Sequence, residues 1–194
     1  MATVSRMMTE EEFLALPEND GIDRELIRGE LREKPSAMTT RRYSHCTVAS
    51  RIVYYLTGWM MTQPTPRGVV VSGDARIRLR RDPLTFVGVE VAYIAADSRP
   101  DRPRKATYID GPPLLAVEVL SPSDTQEEIN DKVDEYLDAG VPLVWVVEPR
   151  HSTVTVYRPD AKPQLFNADQ ELSAEPFLPG FRVTVGDFFA DLDD

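Results

Sequence analysis

The sequence predicts an α/β fold in which a central sheet is covered by helices on both faces, and three observations carry that expectation. Phe86 to Ile94 and Leu114 to Leu120 are nearly continuous apolar runs, the pattern of strands buried on both sides. Residues 42–61 and 124–138 instead repeat their apolar positions with helical spacing, so helices are available to cover the sheet. The composition, 42% hydrophobic and 28% charged over 194 residues, is that of a folded chain, which at this size buries roughly 70% of its unfolded surface. We expect one domain over residues 1–194.

The elements follow in order. Thr9 and Glu12 form a capping box ahead of Phe13, Leu14 and Leu16, and Pro17 ends a short helix. Arg24 to Leu31 reads as two short strands about Gly29, an N-terminal hairpin. From Arg42 to Met61 apolar groups recur at Val48, Ile52, Tyr55, Leu56 and Trp59, which predicts a long helix weakened near its end by Gly58. Val69 to Val71 and Ala75 to Leu79 are separate strand candidates, the second alternating apolar residues with arginines. After the two apolar strands, Ser123 is the expected cap of a helix over 124–138, with Gln126 at its third position and Gly140 at its close. Leu143 to Val147 and Thr153 to Tyr157 should form a hairpin about Glu148 to His151. The tail reads as a strand, Phe181 to Val185, and a short helix, Asp187 to Leu192, and additional hairpins are expected at both the N-terminal and the C-terminal end of the core.

Charge and composition exclude several classes. The longest uncharged, strongly apolar stretch, Val141 to Val147, is far below the ~20 residues of a membrane helix, so no membrane partner is expected. With one cysteine, Cys46, and no basic-then-apolar start, a cytoplasmic, disulfide-free protein is expected. The net charge of −10 argues against tight non-specific nucleic-acid binding. It is unevenly spread: −1 over residues 1–66, +4 over 67–105 and −13 over 106–194. The basic middle holds Arg76, Arg78, Arg80 and Arg81, then Arg99, Arg102, Arg104 and Lys105, which could meet a phosphate backbone or form a solvated strand face and loop.

The informative anomaly is one glutamate in the middle of each apolar strand, Glu90 and Glu118. A buried carboxylate must be paired, protonated or bound to a cation. If the two strands are neighbours with aligned faces, the acids converge, and Mg²⁺ between them would relieve their repulsion. Otherwise each lies on a partly solvated face or pairs with an arginine of 76–81. A third group bears on this. Lys132, the only basic residue of the 124–138 helix, lies on the border of its apolar stripe of Ile129, Val133, Tyr136 and Leu137. It either reaches over the sheet toward Glu118 or forms surface pairs with Glu128 and Glu135.

Three segments resemble the Uma-two family of restriction-endonuclease-like proteins, within the PD-(D/E)XK nuclease superfamily. Asp23-Arg-Glu-Leu-Ile-Arg-Gly-Glu-Leu31 is similar to that family's "RYELIDGEL". Leu115-Ala-Val-Glu-Val-Leu-Ser-Pro-Ser123 is similar to "VVEVLSPS", and Lys132 to Pro149 to "KLxxYxxAGVxxYWIVDP". The resemblance spans roughly residues 8–192. It implies a restriction-endonuclease-like mixed sheet flanked by helices and a metal-dependent phosphodiesterase site using Mg²⁺ or Mn²⁺. Glu118 would be the acid of the (D/E)XK half, and with Leu120 in the usual lysine position the lysine role would pass to Lys132. Glu25 matches the glutamate of "YELIDGE" and would add a metal or water contact, unless it is an exposed hairpin residue. His45 would approach the site or be an exposed helix histidine, and the latter is expected. Where the family has Arg-Pro-Asp, this chain reads Gly88-Val89-Glu90, so the principal metal aspartate is a glutamate.

The expectation is thus a metal-dependent DNA endonuclease in which Glu90 and Glu118 hold the metal. Lys132 and Glu25 complete the catalytic set, and Arg76, Arg78, Arg80 and Arg81 contact DNA, with a homodimer if both strands are cut. The alternative is an impaired nuclease fold that binds nucleic acid or protein. Glycoside hydrolysis by the carboxylate pair ranks last, because only 8% of residues are aromatic.

Overall fold

The computed structural model of the chain describes residues 7–18, 20–36, 43–99, 105–122 and 124–192. Helix α1 (Glu10–Leu14) forms on its capping box, with the Glu12 amide donating to the Thr9 hydroxyl and the Thr9 amide to the Glu12 carboxylate. It buries Phe13 beside Leu26 and Phe86. Strands β1 (Ile22–Ile27) and β2 (Glu30–Pro35) pair antiparallel about Arg28 and Gly29, whose φ angles of 52° and 82° fit a two-residue hairpin connection. Helix α2 (Tyr43–Thr62) buries Val48, Ile52 and Leu56, an i, i+4, i+8 stripe.

Where two strands are predicted at 69–71 and 75–79, the structure has one, β3 (Val69–Arg81), paired with β4 (Leu84–Ile94). The polar break at Ser72-Gly73-Asp74 reads locally as a turn. It is instead a bulge, with Gly73 and Asp74 at φ 86° and 55° between the pairs Ser72↔Val91 and Ala75↔Val89. After the short β5 (Ile109–Asp110) and β6 (Leu115–Val119), helix α3 (Gln126–Asp138) starts later than its sequence suggests. Thr125, not Ser123, is its cap, with Glu128 completing the box, while the Asp124 carboxylate accepts from the Ser121 amide. Ser123 itself lies outside the described residues. Gly140, at φ 89°, closes the helix, its amide bonded to the Leu137 carbonyl and the Val141 amide to that of Tyr136.

Strands β7 (Val144–Glu148) and β8 (Thr153–Tyr157) form the expected hairpin. Two strands of three residues each, β9 (Gln164–Phe166) and β10 (Glu171–Ser173), are too short to show a period. The predicted terminal strand shrinks to β11 (Arg182–Thr184), which pairs with β10, and the predicted helix at 187–192 is a 3₁₀ turn over Val185–Phe188.

The nine-stranded sheet runs β2-β1-β4-β6-β7-β8-β9, with β3 on the other edge of β4 and β5 beside β3. It is mixed, since β6–β7 and β3–β5 are parallel and the other pairs antiparallel. One face packs α2 and the C-terminal segment against Val117, Trp145 and Val156, and the other packs α3 against Val87, Ala116 and Val144. No helix among the described residues is long and apolar enough to cross a membrane.

One irregularity positions the site. Along the edge of β4 not taken by β3, β1 pairs at Leu26↔Phe86 and β6 pairs from Val91↔Val117 onward. Residues 87–90 of β4 lie between these two partners, so the sheet opens there into a fork.

Candidate active site at the strand fork

Gly88 sits in the fork with its amide and carbonyl directed away from β3, and side chains replace the missing ladder. Its N–H donates to Glu25 Oε1 at 3.0 Å and its carbonyl accepts from Lys132 Nζ at 2.7 Å. Lys132 Nζ also lies 3.2 Å from Glu25 Oε1 and 3.1 Å from Glu118. Tyr136, one turn on from Lys132, donates its hydroxyl to Glu118 Oε1 at 2.5 Å. Strands β1 and β6 and helix α3 therefore bring Glu25, Glu118 and Lys132 together. The surface pairing open to Lys132 in the sequence does not form, because Glu128 caps α3 and Glu135 is held by Arg28 and Arg80.

Burial decides the protonation of this group. Glu118, 5% exposed, is pushed up to about 7, chiefly by loss of water, although Lys132 and the Tyr136 hydroxyl pull the other way. Burial opposes charge on Lys132 too, but Glu118 and Glu25 outweigh it and hold the ammonium above the ordinary lysine range. Burial, then the Glu118 charge, pushes the Tyr136 phenol well up.

A folded-state value for Glu118 raised from 4.5 to about 7 means the native state binds this proton more tightly than the unfolded chain. Stability from this group is therefore largest below pH 4.5 and falls as pH rises toward 7, by roughly 3 kcal/mol in all. Urea unfolding from pH 5 to 8 should show that decline in the wild type and a flatter profile in Glu118→Gln.

Glu90 is placed differently. Its Oε1 lies 3.4 Å from His45 Nε2, on the α2 side, whereas Glu118 is bonded from the α3 side. The Glu90 charge reaches Tyr136, where it is the smallest of the causes that raise the phenol. His45 corrects an expectation: it is buried, at 5% exposure, and its Nδ1 has no hydrogen-bond partner among the described residues. Tyr136 was legible only as core. The available signal was a phenol on a buried stripe, which needs an acceptor, four residues after the helix lysine.

Glu90 and Glu118 carry the carboxylate oxygens that a hard divalent cation such as Mg²⁺ or Mn²⁺ takes as ligands, and His45 lies beside Glu90. Among the described residues, no three His, Cys, Asp or Glu side chains are gathered as a ready-made metal cluster.

The arginines correct a second expectation. Arg78 is 3% exposed, pairs with Glu10, donates bidentately to Asp110 and lies 4.9 Å from the Tyr108 ring centre. Arg80 pairs with Glu135, Arg76 with Glu18 at 3.1 Å, and Arg81 with Asp110 at 2.6 Å. The strand that is basic in sequence is thus matched by acids from α1, β5, α3 and the segment after α1, and does not form an open phosphate-binding row. Arg102 and Arg104 lie outside the described residues.

Residues 10–186 match the profile of the Uma2 family, described as "Putative restriction endonuclease". Among solved structures, the chain is similar to a protein of Anabaena variabilis ATCC 29413 described as "a putative nuclease belonging to DUF820". That match has a TM-score of 0.78 and 22% identity, and covers 94% of this chain and 97% of the other. No curated protein sequence matches the chain.

Proposed function

Because the chain belongs to the Uma2 family, whose description is of restriction-endonuclease type, we propose that it hydrolyses DNA phosphodiester bonds at the β4 fork. The observation that carries this reading is Lys132 seated between Glu118 and Glu25 within 3.2 Å of each. Glu90 and Glu118 would hold one Mg²⁺ or Mn²⁺, which when bound supplies Lewis-acid stabilisation of phosphoryl charge and a more acidic water.

The chain's own groups have distinct tasks. Lys132 keeps its proton, so it offers a fixed positive charge to the attacking water or to the charge developing on phosphorus rather than acting as a base. Glu25 is a positioning residue, holding both Lys132 and the Gly88 amide. Tyr136 fixes the Glu118 carboxyl, and His45 fixes that of Glu90. A second copy of the chain is required only if both strands of a duplex are cut.

The test is cleavage of double- and single-stranded DNA with Mg²⁺ or Mn²⁺. Equal activity in wild type and Glu118→Ala identifies a contaminant and removes the proposal. One observation favours the binding-module alternative: Glu90, longer by a methylene than the family's aspartate, meets His45 from the α2 layer. Misplacement by about 1 Å costs on the order of 10²-fold in rate. Glu90→Asp should therefore raise cleavage, by as much as about 10²-fold if that misplacement is the main defect. If the variant and the wild type are both inert while each still binds DNA, the binding reading is the better one.

A further inference from the structure

Beside the fork, β1 is held to β4 by one ladder pair, Leu26↔Phe86, and Glu25 lies beyond it. The ladder therefore does not fix how far Glu25 stands from helix α3, which carries Lys132. Two ion pairs span that gap. Glu25 meets Lys132 at 3.2 Å, and three residues further along each segment Arg28 Nε donates to Glu135 Oε1 at 2.5 Å. Arg28 also reaches Asp138 at 2.8 Å, and Arg80 of β3 takes the other carboxylate oxygen of Glu135, which is buried.

The two pairs have opposite polarity: on the strand side Glu25 is negative and Arg28 positive, and on the helix side Lys132 is positive and Glu135 negative. A shift of α3 that brought Glu135 toward Glu25, or Lys132 toward Arg28, would set like charges against each other, so one placement satisfies both pairs. The Arg28 backbone is left-handed, at φ 52°, in a two-residue hairpin turn that favours asparagine, aspartate or glycine. An arginine there carries a backbone cost that asparagine would not, and the contact its side chain makes is what the position gains. The other charged link between this hairpin and α3, Arg32 with Asp131 at 3.1 Å, is half exposed at both ends and so is weak.

We infer that Arg28, Arg80 and Glu135 form a clamp that sets α3 against β1 and thereby positions the Lys132 ammonium between Glu25 and Glu118. The inference rests on the hydrolytic reading above and adds to it three positioning residues, which act through Lys132. Glu135 is the centre of the clamp, with Oε1 on the β1–β2 turn and Oε2 on β3. Lys132 stands three residues before Glu135, nearly one turn along the same helix, so a tilt or rotation of α3 at Glu135 moves the ammonium directly. A displacement of about 1 Å there would cost on the order of 10²-fold in rate.

The experiment pairs DNA-cleavage kinetics with the proton–nitrogen correlation spectrum of the lysine ammonium groups, both on the full chain. Of the four lysines, Lys34, Lys105 and Lys162 are exposed and exchange their ammonium protons rapidly with water. Lys132 should therefore give the one sharp resonance, identified by its loss in Lys132→Met. Arg28→Asn, which suits the left-handed turn, should shift or broaden that resonance and lower kcat about tenfold, and Glu135→Gln should lower kcat about 10²-fold, each with KM within about twofold of wild type. Arg32→Ala, which removes the exposed link to the same helix, should change neither readout. A Lys132 resonance unchanged in both Arg28→Asn and Glu135→Gln overturns the inference, as does a loss expressed in KM alone, since Arg28 would then grip DNA itself. A wild type without the Lys132 resonance overturns it as well. These outcomes separate from the hydrolytic reading: a wild type that cleaves no DNA, but whose Lys132 resonance responds to the clamp variants, removes hydrolysis alone, and an active wild type with indifferent variants removes the clamp alone.

Discussion

Replacing Glu118 by alanine should reduce DNA cleavage by about 10³-fold or more, the scale of losing several kcal/mol of charge stabilisation at the reacting phosphate. Glu118 lies where three elements meet: β6 carries it, and Lys132 and Tyr136 of α3 both bond its carboxyl. Its removal releases the Lys132 ammonium from one of two carboxylates and strips the buried Tyr136 hydroxyl of its acceptor. Glu118→Gln separates these effects. It keeps an acceptor for Tyr136 and the volume of the side chain but removes the ionisable oxygen, so it should fold with near wild-type stability at neutral pH and remain as inactive as the alanine variant. Initial rates on labelled DNA with Mg²⁺ and Mn²⁺, beside urea unfolding of the same preparations, give both quantities.

Replacing Lys132 by methionine should abolish cleavage and destabilise the fold in a pH-dependent way. Removing one partner of a buried ion pair commonly costs about 3–5 kcal/mol, because the other is left charged and unpaired. Here the remaining acid can escape that cost by taking up a proton. Glu118 already titrates at about 7, and without the ammonium its value moves higher. Below that value the variant carries a neutral Glu118 and loses little more than the hydrogen bonds of Lys132. Above it, deprotonation exposes the full penalty. The stability difference from wild type should therefore be small near pH 5 and grow by up to about 1.4 kcal/mol by pH 8, about one pH unit beyond the wild-type value. The double variant Lys132→Met, Glu118→Gln should recover most of that difference without recovering activity. A penalty equal at both pH values would show that Glu118 is not the group left behind.

Much of the architecture was legible because it is written in local periodicity. The apolar runs of β4 and β6, the stripe of Val48, Ile52 and Leu56, and the turn residues Gly29 and Gly140 each specify an element within a few residues of its place. The Lys132–Glu118 contact was open in the helical angles and settled only by packing. What stayed hidden depends on contacts distant in sequence. Gly73 and Asp74 form a bulge because β4 continues past them, a fact their own composition does not carry. The arginines of β3 read as a basic row because no acidic residue lies among them from Ala75 to Arg81, yet folding sets Arg78 against Glu10, 68 residues away, and Arg80 against Glu135, 55 residues away. His45 looked exposed because no local pattern announces that Glu90, on a strand 45 positions later, needs a partner.

The most direct test of the account is a crystal of the protein soaked in Mn²⁺ and examined by anomalous scattering. A single peak in the fork, close to 2.1 Å from one carboxylate oxygen of Glu90 and one of Glu118, is the result expected. A metal peak touching neither carboxylate, or no peak at the fork at a Mn²⁺ concentration that supports cleavage, would contradict it.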